Sequence, residues 1–498
     1  MRRRHTCLRV LGAAVIAFSA LVAPPAHAQT PPPAEPRWQD CPETTGMQCA
    51  SIAVPVDWRH PDGETLTLAL GRRPATDPAR RRGVLIVNPG GPGDSGVGWV
   101  RDELPFTSTL RERFDIVGID TRDTHLRCDQ GLRIQRDNLP LLPGATDHQH
   151  RVAVNQALAR SCRHFSGALY DHVSSADLAR DMDHVRAALG EARLNYYGIS
   201  YGTLVGQTYA ELFPSRIRAM VLDSVVDHSL DPRAYVTSSA WGLEDAFAAF
   251  ARWCRTAQTC DLSDRDPQRH LGELWHAAAR GRLRDSRDQP VSPDALSASV
   301  DGALRSGELR WHDLGASLAD LRVAPDTASA ADPATSAQPH QPDRQTTPTD
   351  IPDVEHRPTP LLCADWRFDA ADPARLDQYW ELSVRAAPHT RVNRWSWEWI
   401  TRCAGWPDAT TNPPHRLRVP HLAPVLVANA RHDVATPHPW ARSVAEQLPG
   451  STLLTYDGAR HEVYLPASPC MTGAIDRYLV DRLSPAPDTH CPAVEQPA

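Results

Sequence analysis

The 498-residue sequence contains no lysine, so arginine supplies every basic residue other than histidine. This bias is typical of GC-rich coding sequence and does not indicate a function. Basic residues form no long cluster beyond the N-terminus, and the formal net charge is −7. Proteins that bind the phosphate backbone of nucleic acids carry a basic face or stripe. The composition therefore argues against a nucleic-acid partner.

Long apolar runs are also missing beyond the N-terminus. A helix that spans a membrane would need about 20 apolar residues. Residues 1–28, by contrast, have the parts of a secretory signal. Residues 2–4 are arginines, 10–22 are apolar but too few for a comfortable span, and 26–28 (Ala-His-Ala) form a cleavage site. We expect a secreted, soluble protein that begins at Gln29 and has no membrane partner.

C-x-x-C spacing is absent as well, which argues against a zinc site, and we expect no metal and no cofactor. Of eleven cysteines, Cys7 lies in the predicted signal, which leaves ten, an even number for a chain that enters an oxidising compartment. The ten fall into pairs that are close in sequence: Cys41 with Cys49, Cys128 with Cys162, Cys254 with Cys260, Cys363 with Cys403, and Cys470 with Cys491. The sequence alone does not prove this connectivity. Each closed loop would stabilise the fold by about 2–4 kcal/mol.

The most informative pattern is at residues 198–202, which read Gly-Ile-Ser-Tyr-Gly and match G-x-S-x-G. In a nucleophile elbow of this form a strand turns sharply into a helix, with the serine at the apex. A bare match occurs by chance, so its context decides. Residues 194–197 have strand character, 203–213 have apolar residues at helical spacing, and 219–226 are typical of a buried strand. We predict an elbow with Ser200 as the nucleophile.

A glycine-rich loop at residues 88–96 follows the short apolar strand predicted at 83–87. Such a loop has few β-carbons to hide its amides and can direct N–H groups at an anion, although an ordinary glycine turn is the alternative. The elbow downstream favours the first interpretation. We expect the backbone N–H groups of Gly91 and Tyr201 to form an oxyanion hole. Ser95 in this loop is not a nucleophile, because its second glycine comes one residue early.

The partners of the serine are predicted from chain order. In the elbow fold the acid and then the histidine follow the serine, each on a loop after a strand. Asp433 follows the strand predicted at 424–428, and His461 follows the strand at 451–456. Both therefore lie at carboxyl ends of strands, at the same sheet edge as Ser200.

Two neighbours compete for these roles. His432 precedes Asp433 and breaks the expected order, and Asp457 is too close to His461 in sequence to come from a separate strand end. We predict that Ser200 attacks a carbonyl, that His461 accepts its proton, and that Asp433 orients His461. Water would then release the acyl group.

Strands that alternate with helices predict an α/β fold with a mostly parallel sheet and helices on both faces. Residues 29–226 would form the first part of this core and 416–498 its C-terminal part. Residues 227–415, rich in Ala, Trp and Arg, are predicted to form an inserted, mainly helical cap. Within it, 323–360 has almost no large apolar residues, and we expect a disordered or weakly ordered stretch there.

Together these segments resemble the secreted tripeptidyl aminopeptidase branch of the proline iminopeptidase-like α/β-hydrolases. The resemblance covers nearly the whole mature chain, and its matching stretches are 88–93, 197–203, 220–223, 433–437 and the C-terminal segment with Cys470 and Cys491. It implies an α/β-hydrolase fold and hydrolysis that removes short peptides or single residues from free N-termini. It also implies a cap that gates the pocket and reads the substrate amine.

The sequence departs from this family at two positions. The usual Asp-x-Arg-Gly turn ends in Asp123 instead of glycine, and Arg460 replaces the glycine that usually precedes the catalytic histidine. Both departures affect the expected choice of substrate more than the expected catalytic residues. A bulky cation at Arg460 would alter the entrance or disfavour a positively charged N-terminus.

An aminopeptidase needs an acid that pairs with the substrate ammonium. The candidates in the predicted cap are Glu244, Glu398, Asp245 and Asp365. The alternative for each is a solvated surface charge, because most acidic residues are simply exposed. Two other functions use the same pattern: a carboxylesterase with the same triad, and a non-catalytic binding protein of this fold, which the filled triad argues against. We expect a monomer that acts on a peptide or a small acyl substrate.

Overall fold

The computed structural model describes residues 34–42, 44–102, 105–142, 147–325, 354–355 and 359–494. The predicted signal at 1–28 and most of the stretch at 323–360 lie outside these residues.

The described residues contain fourteen strands and fifteen α-helices. The strands are β1 (Gln39–Asp40), β2 (Gln48–Pro55), β3 (Thr65–Arg73), β4 (Gly83–Asn88), β5 (Phe114–Ile119), β6 (Cys128–Asp129), β7 (Leu194–Ile199), β8 (Ile217–Asp223), β9 (Leu283–Arg284), β10 (Arg322–Val323), β11 (Val354–Glu355), β12 (Leu426–Ala430), β13 (Thr452–Tyr456) and β14 (Thr489–Cys491). The helices are α1 (Gly96–Asp102), α2 (Ser108–Arg113), α3 (Gln130–Asp137), α4 (Asp147–Ser166), α5 (Ser175–Ala188), α6 (Tyr201–Leu212), α7 (Pro232–Cys254), α8 (Pro267–Ala279), α9 (Pro293–Arg305), α10 (Trp311–Ala319), α11 (Thr359–Asp365), α12 (Pro373–Ala386), α13 (Arg394–Arg402), α14 (His438–Gln447) and α15 (Pro469–Asp481).

Ten strands form one sheet in the order β1-β2-β3-β5-β4-β7-β8-β12-β13-β14. The first three strands are antiparallel to their neighbours, whereas every pair from β5 to β14 in this order is parallel. This confirms the predicted mostly parallel sheet. The carboxyl ends of β4, β7, β12 and β13 therefore lie along one edge.

Helices cover both faces of the sheet, as predicted. β5, β7 and β12 are buried along their whole length, the pattern of parallel strands covered on two sides. On β8, Leu222 packs into an apolar cluster with Met182 of α5 and Val205 of α6. The preceding residue, Val221, packs on the opposite face with Ile475 of α15, because successive strand side chains alternate.

Helices α7 to α13 lie between β8 and β12 in the chain, within the predicted cap. Phe247, Phe250, Trp275 and Leu314 are among the residues of a separate apolar cluster formed mainly by α7 to α10. The tryptophans of α13 instead belong to the cluster of the sheet. β10, which ends at the first residue of the stretch predicted to be weakly ordered, pairs with β9. β11, within that stretch, pairs with β6.

Disulfides join the five sequence-local pairs named above: Cys41–Cys49, Cys128–Cys162, Cys254–Cys260, Cys363–Cys403 and Cys470–Cys491. Three of them link separate elements, namely β6 with α4, α11 with the end of α13, and α15 with β14. Among the described helices, none combines the length and apolarity needed to cross a bilayer.

Candidate active site

Ser200 lies in a sharp turn between β7, which ends at Ile199, and α6, which begins at Tyr201. Its backbone has φ 54° and ψ −123°, a strained conformation for a residue with a side chain. The Ser200 N–H donates to the carbonyl of Asp223 on β8 over 3.0 Å. The strand, turn, helix and strand predicted around the motif are therefore all present.

The glycine-rich loop lies directly against this turn. A β-carbon added to Gly90 would stand 2.5 Å from the Ile199 carbonyl oxygen and 2.8 Å from the Tyr201 nitrogen. One added to Gly202 would stand 2.5 Å from the Asn88 carbonyl oxygen. Glycine is therefore required on both sides, and the loop backbone reaches the first N–H groups of α6, where an oxyanion would be held.

Asp433 and His461 form a hydrogen-bonded pair. The His461 Nδ1 lies 3.1 Å from Oδ1 and 3.0 Å from Oδ2 of the carboxylate. The same carboxylate accepts from the N–H groups of Ala435 (2.8 Å) and Thr436 (3.0 Å), and from the Thr436 hydroxyl (2.8 Å). Asp433 is thus fully occupied and buried, which fixes the orientation of the imidazole.

The two groups stabilise each other's charge. Burial by itself would raise the pKa of Asp433, but the attraction and hydrogen bond of His461, together with the hydrogen bonds from Thr436, outweigh it and leave the pKa below its usual value. Burial would lower the pKa of His461, yet the Asp433 carboxylate outweighs this effect and raises it. We assign the Nδ1 proton to the bond with Asp433, which leaves Nε2 to act as a base.

The loop that carries His461 is bonded to the strand beside the elbow. The Glu462 N–H donates to the Ser224 hydroxyl over 2.8 Å, next to the Asp223 carbonyl that holds the Ser200 N–H. Among the described side chains, no hydrogen bond joins Ser200 to His461, and catalytic contacts of this kind commonly tighten only when substrate binds.

The rival residues have other partners. His432 pairs with Asp245 of α7 over 2.6 Å. Asp457 accepts from Arg431 over 2.6 Å and pairs with the His490 ring over 3.0 Å. Both interactions lie outside the Asp433–His461 pair.

Glu244 and Glu398, the first two candidates for the substrate amine, already have partners within residues 227–415. Glu244 pairs with the His389 ring and accepts from the Thr390 N–H over 3.0 Å and from its hydroxyl over 2.9 Å. Glu398 accepts from Arg402, one turn further along α13. The structure does not bring either carboxylate into a hydrogen bond with the elbow, Asp433 or His461.

Asp365, the fourth acidic candidate, joins α11 to the elbow. Its fully buried carboxylate accepts from the Tyr201 hydroxyl (2.6 Å), the Ser175 hydroxyl (2.5 Å) and the Asn412 amide (2.8 Å). Burial raises its pKa to about 6 despite these donors. Sequence reasoning missed this structural role, because Ser175 lies 190 residues away in the chain.

The altered turn after β5 contains a buried charge. Arg122 is buried and forms two hydrogen bonds to Asp181, of 2.7 and 2.5 Å. Asp123, at the position where the resemblance implies glycine, is 1% exposed, and neither carboxylate oxygen forms a well-aligned hydrogen bond to a described residue. The nearby Thr121 hydroxyl offsets only part of the cost of burying this carboxylate. Burial raises its pKa to about 6.

We expect Asp123→Asn to make the protein more stable above pH 6. The folded-state pKa of about 6 exceeds the usual 3.8, so the folded state retains the proton longer and loses stability as pH rises from 4 to 6. The full loss is about 3 kcal/mol. Thermal unfolding between pH 4 and 8 measures it, with the exposed Asp313→Asn as control. An Asp123→Asn variant that loses stability with pH as the wild type does would contradict this account.

The fold and the site define the class of the protein. A strained serine at the carboxyl end of a parallel strand and an Asp–His pair lie at the same edge of the sheet. This is the arrangement of an α/β hydrolase.

Comparisons with known proteins narrow this class. A family model described as alpha/beta hydrolase fold matches residues 83–299, and one described as TAP-like protein matches 389–491. Serine protease Hip1 of Mycobacterium tuberculosis is 32% identical over 90% of this chain and 87% of its own. Tripeptidyl aminopeptidase of Streptomyces lividans is 29% identical, over 91% and 86%. Carboxylesterase B of M. tuberculosis is 30% identical, over 91% and 88%. The chain belongs to the tripeptidyl aminopeptidase-like α/β-hydrolases and is a serine hydrolase.

Proposed function

We propose that the protein is a secreted exopeptidase that removes short peptides or single residues from free N-termini through an acyl-enzyme. The observation that carries this proposal is the hydrogen bond between buried Asp433 and partly exposed His461, at the sheet edge of the strained Ser200. The relatives named as a serine protease and a tripeptidyl aminopeptidase support the peptide substrate. Five disulfides and the signal-like residues 1–28 support secretion.

In the proposed reaction the Ser200 hydroxyl attacks the scissile carbonyl while its proton passes to Nε2 of His461. The N–H groups of Tyr201 and Gly91 donate to the oxygen that becomes negative. His461 then protonates the leaving amine, and the carbon–nitrogen bond breaks to leave an ester on Ser200. A water molecule, deprotonated by His461, hydrolyses this ester and restores the serine. Asp433 stabilises the imidazolium in both halves of the reaction.

The alternative is a carboxylesterase that uses the same residues. The relative named Carboxylesterase B supports it, with an identity to this chain close to that of the peptidases. A third function, a non-catalytic binding protein of this fold, has no such support, because all the positions that the chemistry needs are filled.

Tripeptide anilides with free and with blocked N-termini, together with short acyl esters, separate these functions. We expect the free tripeptide anilides to be preferred over the blocked ones by about 30-fold or more, the equivalent of about 2 kcal/mol for a lost charge contact. Turnover of esters alone would remove the peptidase proposal and leave the esterase. Failure of a fluorophosphonate to label Ser200 would support the third function, a non-catalytic binding protein.

We expect activity to rise with pH and to have its midpoint above 6.5, since Nε2 must be unprotonated and Asp433 raises the pKa of His461 above its usual 6.5. The rate of fluorophosphonate labelling against pH measures this midpoint without interference from a titrating substrate amine. A midpoint at or below 6.5 would mean that the Asp433–His461 contact does not persist in solution.

A further inference from the structure

A short turn of the cap, Gly307–Arg310, contacts the loop that carries His461. The Glu308 carboxylate accepts from the Ala459 N–H over 2.5 Å, and the Glu308 N–H donates to the Ala459 carbonyl over 3.2 Å. Ala459 lies two residues before His461 and is 1% exposed. Glu308 of the predicted cap and Ala459 of the core are therefore joined by two hydrogen bonds, one donated by each residue.

The fit between the two backbones leaves no space for side chains. A β-carbon on Gly307, which has φ +66°, would stand 1.8 Å from the Ala459 carbonyl oxygen. A β-carbon on Gly458 would stand 2.5 Å from the Glu308 carboxylate. Glycine on each side is what lets the cap turn reach the loop, so the contact is built into the sequence of both segments.

His461 is therefore held from two sides. After it, the Glu462 N–H is bonded to Ser224 of the core. Before it, the Ala459 N–H is bonded only to the cap in the described part of the chain. A buried N–H group without an acceptor is costly, so loss of the Glu308 carboxylate would favour rearrangement of this part of the loop.

The loop of the acid has cap contacts of its own. The Asn393 amide donates to the Val434 carbonyl over 2.7 Å, and His432 pairs with Asp245 over 2.6 Å. Both bonds flank Asp433. The cap consequently contacts each of the two loops whose side chains form the Asp–His pair.

We propose that Glu308 is a positioning residue, which holds His461 in contact with Asp433 and in reach of Ser200. This inference rests on the proposed catalytic roles. The predicted cap then contributes to the catalytic geometry. Its influence extends to reagents too small to touch the cap, because it acts through the histidine loop and not through substrate contacts.

The test compares Glu308→Ala, which removes the acceptor, with Glu308→Gln, which keeps an acceptor oxygen at the same position. Glu273→Ala, an exposed glutamate of α8, is the matched control. The readouts are the fluorophosphonate labelling rate, kcat and KM for a short acyl ester, and the pH midpoint of labelling. We expect Glu308→Ala to lower labelling and kcat by about 10- to 100-fold with little change in KM, because small misplacements of a catalytic group cost about this much. Its pH midpoint should fall towards 6.5, whereas Glu308→Gln retains most of the rate.

A folded Glu308→Ala variant with the labelling rate and pH midpoint of the wild type would overturn the inference. If Glu308→Ala does not fold, Glu308→Asp decides, since it keeps the charge but withdraws the carboxylate by one methylene. An intermediate loss of rate supports the inference, and a wild-type rate overturns it. A wild type that is not labelled at Ser200 at all would instead overturn the proposed function, and this inference with it.

Discussion

Ser200→Ala is expected to lower kcat by about 10⁴–10⁶-fold without unfolding the protein. The variant keeps the backbone of the turn and loses only the oxygen that would attack the carbonyl. The residual rate would come from the oxyanion hole and substrate binding alone. Purified variant and wild type are compared by tripeptide-anilide turnover and by thermal unfolding, which shows whether the fold is retained.

Ser95→Ala is the matched control, because Ser95 is the other serine within a glycine-rich segment of similar pattern. Its hydroxyl donates to Asp120 over 2.6 Å and has no chemical role in the proposed reaction. We expect this variant to remain labelled by fluorophosphonate, whereas Ser200→Ala is not. Normal turnover by Ser200→Ala would rule out the mechanism.

Asp433→Asn is expected to lower kcat/KM by about 10⁴-fold. An amide nitrogen facing Nδ1 of His461 would donate where the carboxylate accepts. The imidazole would then carry its proton on Nε2 and could not take the proton of Ser200. Because the substitution changes the tautomer of His461 and little else, the variant should fold, and the structure around Thr436 should change little.

Asp457→Asn provides the comparison, since Asp457 is the rival acid on the histidine loop. It lies in a partly exposed cluster with Arg431 and His490, where an ion pair contributes about 0–1 kcal/mol. We expect its kcat/KM to remain within a few-fold of the wild type. A larger loss in Asp457→Asn than in Asp433→Asn would reverse the assignment of the acid.

Local sequence patterns predicted the elbow well. The glycines at 198 and 202 and the strand-like and helical flanks of Ser200 all act within a few residues of each other. The same holds for the strands that precede Asp433 and His461, and for cysteine pairs such as Cys254–Cys260. Each is decided by turn geometry and hydrophobic periodicity, which the chain encodes over short distances.

The partners of the acidic residues within 227–415 were far less predictable. Glu244 and Glu398 were candidates for the substrate amine because of their charge and position, and nothing nearby distinguished them from Asp365. Their actual partners differ: Glu244 pairs with a histidine 145 residues away, whereas Asp365 meets Tyr201, 164 residues away. No sequence motif surrounds Glu308, so its contact with Ala459 was not predictable.

The sequence by itself therefore determined the alternation of strands and helices, the strained turn at Ser200 and the position of Asp433 and His461 after neighbouring strands. The tertiary structure alone decided which carboxylates accept hydrogen bonds, that the Asp123 carboxylate is buried, and that Glu308 contacts Ala459. The physical reason is that backbone conformation depends on adjacent residues, whereas burial and pairing of a charge depend on which distant surfaces pack together.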